Sequence, residues 1–225
     1  NYVSEYYPDV RLIADAVTVA VTAGETPSDI DAVLANGGTI TGRVTADGNA
    51  LNGIGVHAFD ADSDFYLATT TGLDGSYLIR NVPADSYKVR FRPTTGDLAV
   101  EWWNGQADLT AADAVVVASG AAVEDIDAEL GESGSISGRV TDGLGAGIAG
   151  VTVVAQDMAR IPAYSSAVTD SDGDYVLTRL PSCSTKVWFN TDLTYLNYAN
   201  EYYNDKADHG AADAVEVTVG ETFTV

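Results

Sequence analysis

Basic residues are scarce: 11 Lys and Arg stand against 33 Asp and Glu in 225 residues, a formal net charge of −22. Such a field repels a phosphate backbone and excludes nucleic acid as a partner. The only cysteine, Cys183, rules out a disulfide within one chain, so any domain must stand on core packing. No His or Asn lies near it in sequence, and it reads as an inert thiol rather than a nucleophile. No apolar run approaches the roughly 18 residues that a transmembrane helix needs, and no signal peptide opens the sequence. The two histidines, His57 and His209, occupy unrelated positions, and there is neither a phosphate loop nor a Ser/His/Asp arrangement. An enzyme is therefore not expected, and no cofactor is required.

What the sequence has is apolar content, 46%, and repetition. Glu5-Tyr6-Tyr7, Glu101-Trp102-Trp103 and Glu201-Tyr202-Tyr203 recur at steps of 96 and 100 residues. Each is followed by an Ala-Asp-Ala-Val box around Asp15, Asp113 or Asp213. Gly42-Arg43-Val44-Thr45 returns as Gly138-Arg139-Val140-Thr141, and Asp74-Gly75-Ser76-Tyr77 as Asp172-Gly173-Asp174-Tyr175. A period near 98 residues is too long for a solenoid repeat, so each repeat is expected to be a small domain. The divisions expected are residues 1–36, the closing strands of a preceding or incomplete module; residues 37–131, a first module; and residues 132–225, a second module without its final strand. Two explanations stay open: a window on a longer array, or an open end completed by another chain.

Within a module the segments read as strands. Tyr87, Val89 and Phe91 alternate with Lys88, Arg90 and Arg92, which places the first three inward and the cations outward. Ile54 and Val56, Tyr77 and Ile79, and Ile126, Ala128 and Leu130 alternate in the same way. Asp47-Gly48, Asp74-Gly75, Pro83, Asn104-Gly105 and Asp142-Gly143 supply turns between them. Helical periodicity is weak, with residues 106–113 the one candidate turn of helix. The expected class is all-β: tandem Ig-like or transthyretin-like β-sandwich modules arranged as a rod.

The strings GTITGRVT, LNGIGVHAFD and TTTGLDGSYLIRNVPADSYKVRF, with their counterparts GSISGRVT, GIAGVTVVAQD and AVTDSDGDYVLTRLPSCSTKVWF, resemble carboxypeptidase regulatory-like domains. The resemblance implies a transthyretin-like sandwich, and the trailing EYYNDKA…ADAVEVTVGET element is similar to the tandem form of these domains in large microbial surface proteins. It implies little about function, because such sandwiches serve as spacers, stalks and binding modules. Pro83-Ala84-Asp85 and Pro181-Ser182-Cys183 depart from the usual Pro-Ala-Gly turn of the family.

Three constellations are candidate sites. Asp170, Asp172 and Asp174 alternate around Gly173, and Asp60, Asp62 and Asp64 form a second alternating set. Calcium takes hard oxygen ligands at such spacing, but no Glu closes a loop after Asp170, and Asp-Gly also serves as a plain hairpin turn. The aromatic pairs Tyr6/Tyr7, Trp102/Trp103 and Tyr202/Tyr203 could stack on a saccharide. Strand neighbours point to opposite faces, so packing and module–module contact are the expected use. Trp188, on an outward phase, is a candidate partner contact.

The third constellation is Asp29, Ile30, Asp31, Ala32, Val33 and Leu34, which repeats residues 125–130 and has no counterpart after residue 225 of this sequence. It is the candidate donor strand for another module or chain. Ala35-Asn36-Gly37 and Gly131-Glu132-Ser133 make very short links. The expectation is an extracellular or cell-surface structural array, a stalk or filament whose partners are adjacent modules or other copies of itself. The alternative is a carbohydrate-binding or adhesive module that contacts a glycan or surface protein.

Overall fold

The computed structural model describes residues 2–60, 66–156, 164–192 and 197–224. Eighteen strands and one short 3-10 turn, Ile13–Asp15, make up its regular structure. Residues 106–113, the expected helical turn, form bends and turns without a helix.

The first ten strands are β1 (Gly38–Ala46), β2 (Asn49–Ala50), β3 (Gly55–Asp60), β4 (Tyr66–Thr70), β5 (Ser76–Val82), β6 (Asp85–Arg92), β7 (Glu101–Trp102), β8 (Val115–Val117), β9 (Ala122–Val123) and β10 (Ala128–Glu129). They form one sandwich. One sheet is built on β1, which pairs antiparallel with β5 and β2 and parallel with β9 and β10. The other runs β4-β3-β6, with β7 and β8 both pairing to β6. Alternating β-branched and aromatic residues put one face of each sheet inward. Ile40, Val44, Val56, Val82, Tyr87, Val89 and Phe91 are all fully buried between them. Tyr77 meets Phe91 edge-on, with centroids 6.0 Å apart.

The second sandwich repeats the plan. Its strands are β11 (Gly134–Arg139), β12 (Thr152–Gln156), β13 (Ser165–Val168), β14 (Asp174–Leu180), β15 (Ser184–Asn190), β16 (Glu201–Tyr202), β17 (Val215–Glu216) and β18 (Thr222–Thr224). One sheet is β14-β11-β18; the other is β13-β12-β15 with β16 and β17 on β15. The core holds Ile136, Val153, Ala155, Leu177, Leu180 and Val187, all fully buried. Here β18 is the counterpart of β9. Among the described residues nothing is the counterpart of β10.

A buried threonine latches each sandwich. Thr71 Oγ1 accepts from the Ile54 N–H at 3.0 Å and donates to the Leu51 carbonyl at 2.6 Å. Thr169 Oγ1 does the same for the Val151 N–H (2.9 Å) and the Ile148 carbonyl (2.6 Å). Each hydroxyl satisfies two backbone groups where the chain enters a central strand, and such groups are costly to bury unpaired.

One outward position departs from expectation. Arg90 follows the outward phase of β6, yet it is only 2% exposed. Phe59 and Trp102 cover it, with the guanidinium 5.0 and 5.6 Å from their ring centroids. Burial pulls its pKa down to about 10, with repulsion from Arg92 adding to the shift. Cation–π contact over two rings offsets part of the desolvation.

Thr169→Val keeps the shape and removes the hydroxyl, leaving a buried N–H and a buried carbonyl unpaired. It is expected to lower the stability of the second sandwich by about 1–3 kcal/mol in denaturant unfolding, with a smaller loss for Thr169→Ser.

Candidate functional site

The candidate site is the junction between the sandwiches. Leu130 is buried in the first core, and Gly134, at the start of β11, is buried against the second. A Cβ on Gly134 would lie 2.5 Å from the Thr218 carbonyl oxygen and from Val217 Cγ1, so the backbone itself packs there. Only Gly131, Glu132 and Ser133 lie between, and they are held from both sides. The Ala99 N–H donates to Gly131 O (2.9 Å), the Ser133 N–H to Asp97 O (2.8 Å), and the Gly220 N–H to Ser133 O (3.1 Å).

Val100 completes the junction. Its N–H donates to Arg179 O at 3.1 Å, and its side chain, 1% exposed, belongs to the core of the second sandwich. A residue of the first module thus fills the core of the next. Arg179 turns the chain through a left-handed conformation, φ 62°, to present that carbonyl.

Part of this backbone bonding recurs just before the first sandwich, in the pattern of Ala99–Gly131 and Leu98–Glu132. The Val3 N–H donates to Ala35 O at 2.9 Å, Tyr2 bridges Asn36, and Val3 is 7% exposed. Arg11 then clamps the segment to the first sandwich, with Nη2 2.7 Å from Asp85 Oδ2 and Nη1 3.3 Å from Asp60 Oδ2. Arg11, through its hydrogen bond, holds the Asp85 carboxyl below the ordinary range. Arg11 thus ties residues 2–36 to the first sandwich.

The aromatic triplets lie next to these junctions. In Glu101-Trp102-Trp103 the rings do go to opposite faces. Trp103 packs against the first core, while Trp102, 1% exposed, lies under Arg90 and against Phe59, 5.6 Å between centroids. Tyr203 packs against the second core, and Tyr202 stacks on Trp188 at 6.2 Å and 22°. Trp188 and Tyr202 are half-buried on the outer face of their sheet. Tyr6 and Tyr7 lack a sheet to pack on and are 46% and 37% exposed. The glutamates share a shift. Burial, then repulsion from Glu129, pushes the Glu101 carboxyl up to about 7. Glu5 and Glu201 move the same way, with burial the larger cause and Asp9 or Asp205 adding to it.

The acidic spacings resolve differently. Asp170 Oδ1 accepts the N–H groups of Asp172 and Asp174, both at 2.9 Å, and Arg139 Nε lies 3.7 Å from Asp174 Oδ1. That is the chemistry of an Asx turn. Asp60 faces Arg11, while Asp62 and Asp64 lie outside the described residues. Among the described residues no three His, Cys, Asp or Glu side chains converge as a metal site. His57 is half-buried, and burial, with Arg90 and Arg92 nearby, lowers its pKa to about 4. Cys183 is half-buried at its turn, against the second core.

The remaining candidate, residues 29–34, is exposed throughout. Arg11 with Asp60 and Asp85, and Val100 with the second core, are the junction residues that sequence reasoning did not single out.

The chain belongs to the carboxypeptidase regulatory-like domain family, whose model matches residues 39–117 and again 135–225. No curated protein shows a significant match to the sequence. Among solved structures, the Bacillus anthracis TIE protein is 11% identical, with a TM-score of 0.34, over 83% of this chain and 32% of its own. The Streptococcal ancillary pilin is 11% identical at a TM-score of 0.33, over 83% of this chain and 60% of its own. The minor pilin GBS52 of Streptococcus agalactiae is 12% identical at 0.31, over 83% and 93%. The chain thus spans about a third of the first and three fifths of the second.

Because the Glu101 pKa rises from 4.5 to about 7 on folding, the folded state holds a proton there that the unfolded chain releases. The contribution of this group to stability is full below about pH 4.5 and declines as pH rises toward about 7. Glu101→Gln is expected to flatten that decline, as measured by Tm across the same pH range.

Proposed function

We propose that this chain is a length of an extracellular structural array, in which sandwiches joined through short, hydrogen-bonded junctions form a stalk or filament at a cell surface. The observation that carries this reading is the junction itself: three residues between two cores, with Val100 of one module buried in the next. Recurrence of the Ala99–Gly131 backbone bond at Val3 and Ala35 supports a joint meant to repeat. A charge of −22 supports an exposed, soluble surface that avoids self-association except at specific contacts. The partners are adjacent modules or further copies of the chain. Catalysis has no role in this reading.

A second reading, a glycan-binding or adhesive module, draws on one feature. Trp188 and Tyr202 stack in parallel, half-exposed, on the outer face of β15 and β16. Trp102 is too deeply covered to serve such a platform. If adhesion is the function, glycan-array binding disappears in Trp188→Ala and persists in Leu144→Ala, which changes an exposed turn.

The test of the array is electron microscopy of the native protein on and released from its source cells. Filaments or stalks with an axial repeat of successive sandwiches are expected. Isolated globular particles of one or two sandwiches would overturn it.

A further inference from the structure

Tension along the chain meets the first sandwich at two points. It enters through Gly37, just before β1, and leaves through Leu130, just after β10. Because β9 and β10 run parallel to β1, these points lie at opposite ends of one strand pairing. The strand between them, β1, spans roughly 30 Å. The force therefore runs along the strands and crosswise to the hydrogen bonds between them, which must fail together. With an antiparallel closing strand, entry and exit would share one end, and the bonds would open one at a time.

The pairing is fastened along its whole length. At its start the Thr39 N–H donates to Ala121 O at 2.9 Å. In the middle the Ile126 N–H donates to Thr41 O at 3.1 Å, and the Arg43 N–H to Asp127 Oδ1 at 2.7 Å. At its end the Leu130 N–H donates to Thr45 O at 2.7 Å. Glu129 adds a hook on the turn after β1, accepting from Thr45 Oγ1 and from the Gly48 N–H, the latter at 2.9 Å.

A further tie comes from β5, on the opposite flank of β1. Tyr77 is paired with Gly42, and its Oη donates to Ile126 O at 2.6 Å. Gly42 leaves room for that approach, since a Cβ there would lie 2.2 Å from the same carbonyl oxygen. Ile126, Ala128 and Leu130 are buried to 3%, 7% and 3% exposure. Sliding the closing strand thus also drags apolar side chains out of the core, which is unfavourable in proportion to the area exposed.

We propose that the first sandwich is a shear clamp, a tension-resisting element in which β9 and β10, locked against β1, carry force from one end of the module to the other. The proposal rests on the array reading for the source of the tension. The resistance itself belongs to one folded sandwich, and it follows the barrier to unfolding rather than the equilibrium stability.

The test is single-molecule force spectroscopy on the 225-residue chain in a Cys183→Ser background, with handles on pairs of introduced cysteines. Asn36→Cys with Glu132→Cys pulls the pairing lengthwise. Asn49→Cys with Glu132→Cys pulls it open from one end, because the ends of β1 and β10 lie side by side. All three positions are exposed. The first pair is expected to need a severalfold higher force than the second at the same loading rate. Tyr77→Phe is expected to lower the lengthwise force more than Thr71→Val, which weakens the same sandwich outside this pairing. A lengthwise force that does not exceed the other overturns the proposal, and so does a Tyr77→Phe effect no larger than that of Thr71→Val. A high lengthwise force with no native filaments keeps the clamp and sinks the array; filaments without that force keep the array and sink the clamp.

Discussion

Three residues separate two hydrophobic cores, and neither core lets go of its end. Leu130 is buried behind the link and Gly134 is walled in ahead of it. Between them the backbone of Gly131 and Ser133 is bonded to Ala99, Asp97 and Gly220. A link of this length could still swing if its neighbours were loose. They are not, because Val100 reaches from the first module into the second core. To bend, the junction must withdraw a buried valine and break backbone hydrogen bonds together.

The closing strands are what make this joint possible. β9 and β10 both run parallel to β1, along the same edge, and the chain leaves that edge directly into β11. One stretch therefore closes a sandwich and opens the next, so a module is complete only with residues that point toward its successor. The triplet Glu101-Trp102-Trp103 sits beside this joint. The glutamate is held in a partly desolvated place with its pKa raised, while its two aromatic neighbours pack on opposite faces of the sheet. The parallel closing strands and the inserted Val100 thus meet at one joint.

Much of the fold was legible in the sequence because a half-buried sheet writes its alternation locally. Tyr87, Val89 and Phe91 face inward as their spacing demands, and the turns fall at their Asp-Gly pairs. The period near 98 residues made two sandwiches readable, and the quoted strings made the family readable. What escaped was nonlocal. Arg90 obeys its outward phase, and Phe59 on β3 and Trp102 on β7 lie over it. Arg11 meets Asp60 and Asp85 across 49 and 74 residues, which no short pattern predicts. Val100 lies between strands in a stretch with no alternation, so its burial in another module had no local sign. Thr71 and Thr169 did carry a sign, their common place in the repeat, but a threonine before a turn is too ordinary to single out.

The central claim is that the junction holds the sandwiches in one fixed arrangement. Spin labels at Leu73→Cys and Leu144→Cys, two exposed turn positions in different sandwiches, would measure it directly by pulsed EPR in a Cys183→Ser background. A single narrow distance distribution is the predicted result. A broad or multimodal distribution would contradict it, and the sandwiches would then be beads on a flexible string.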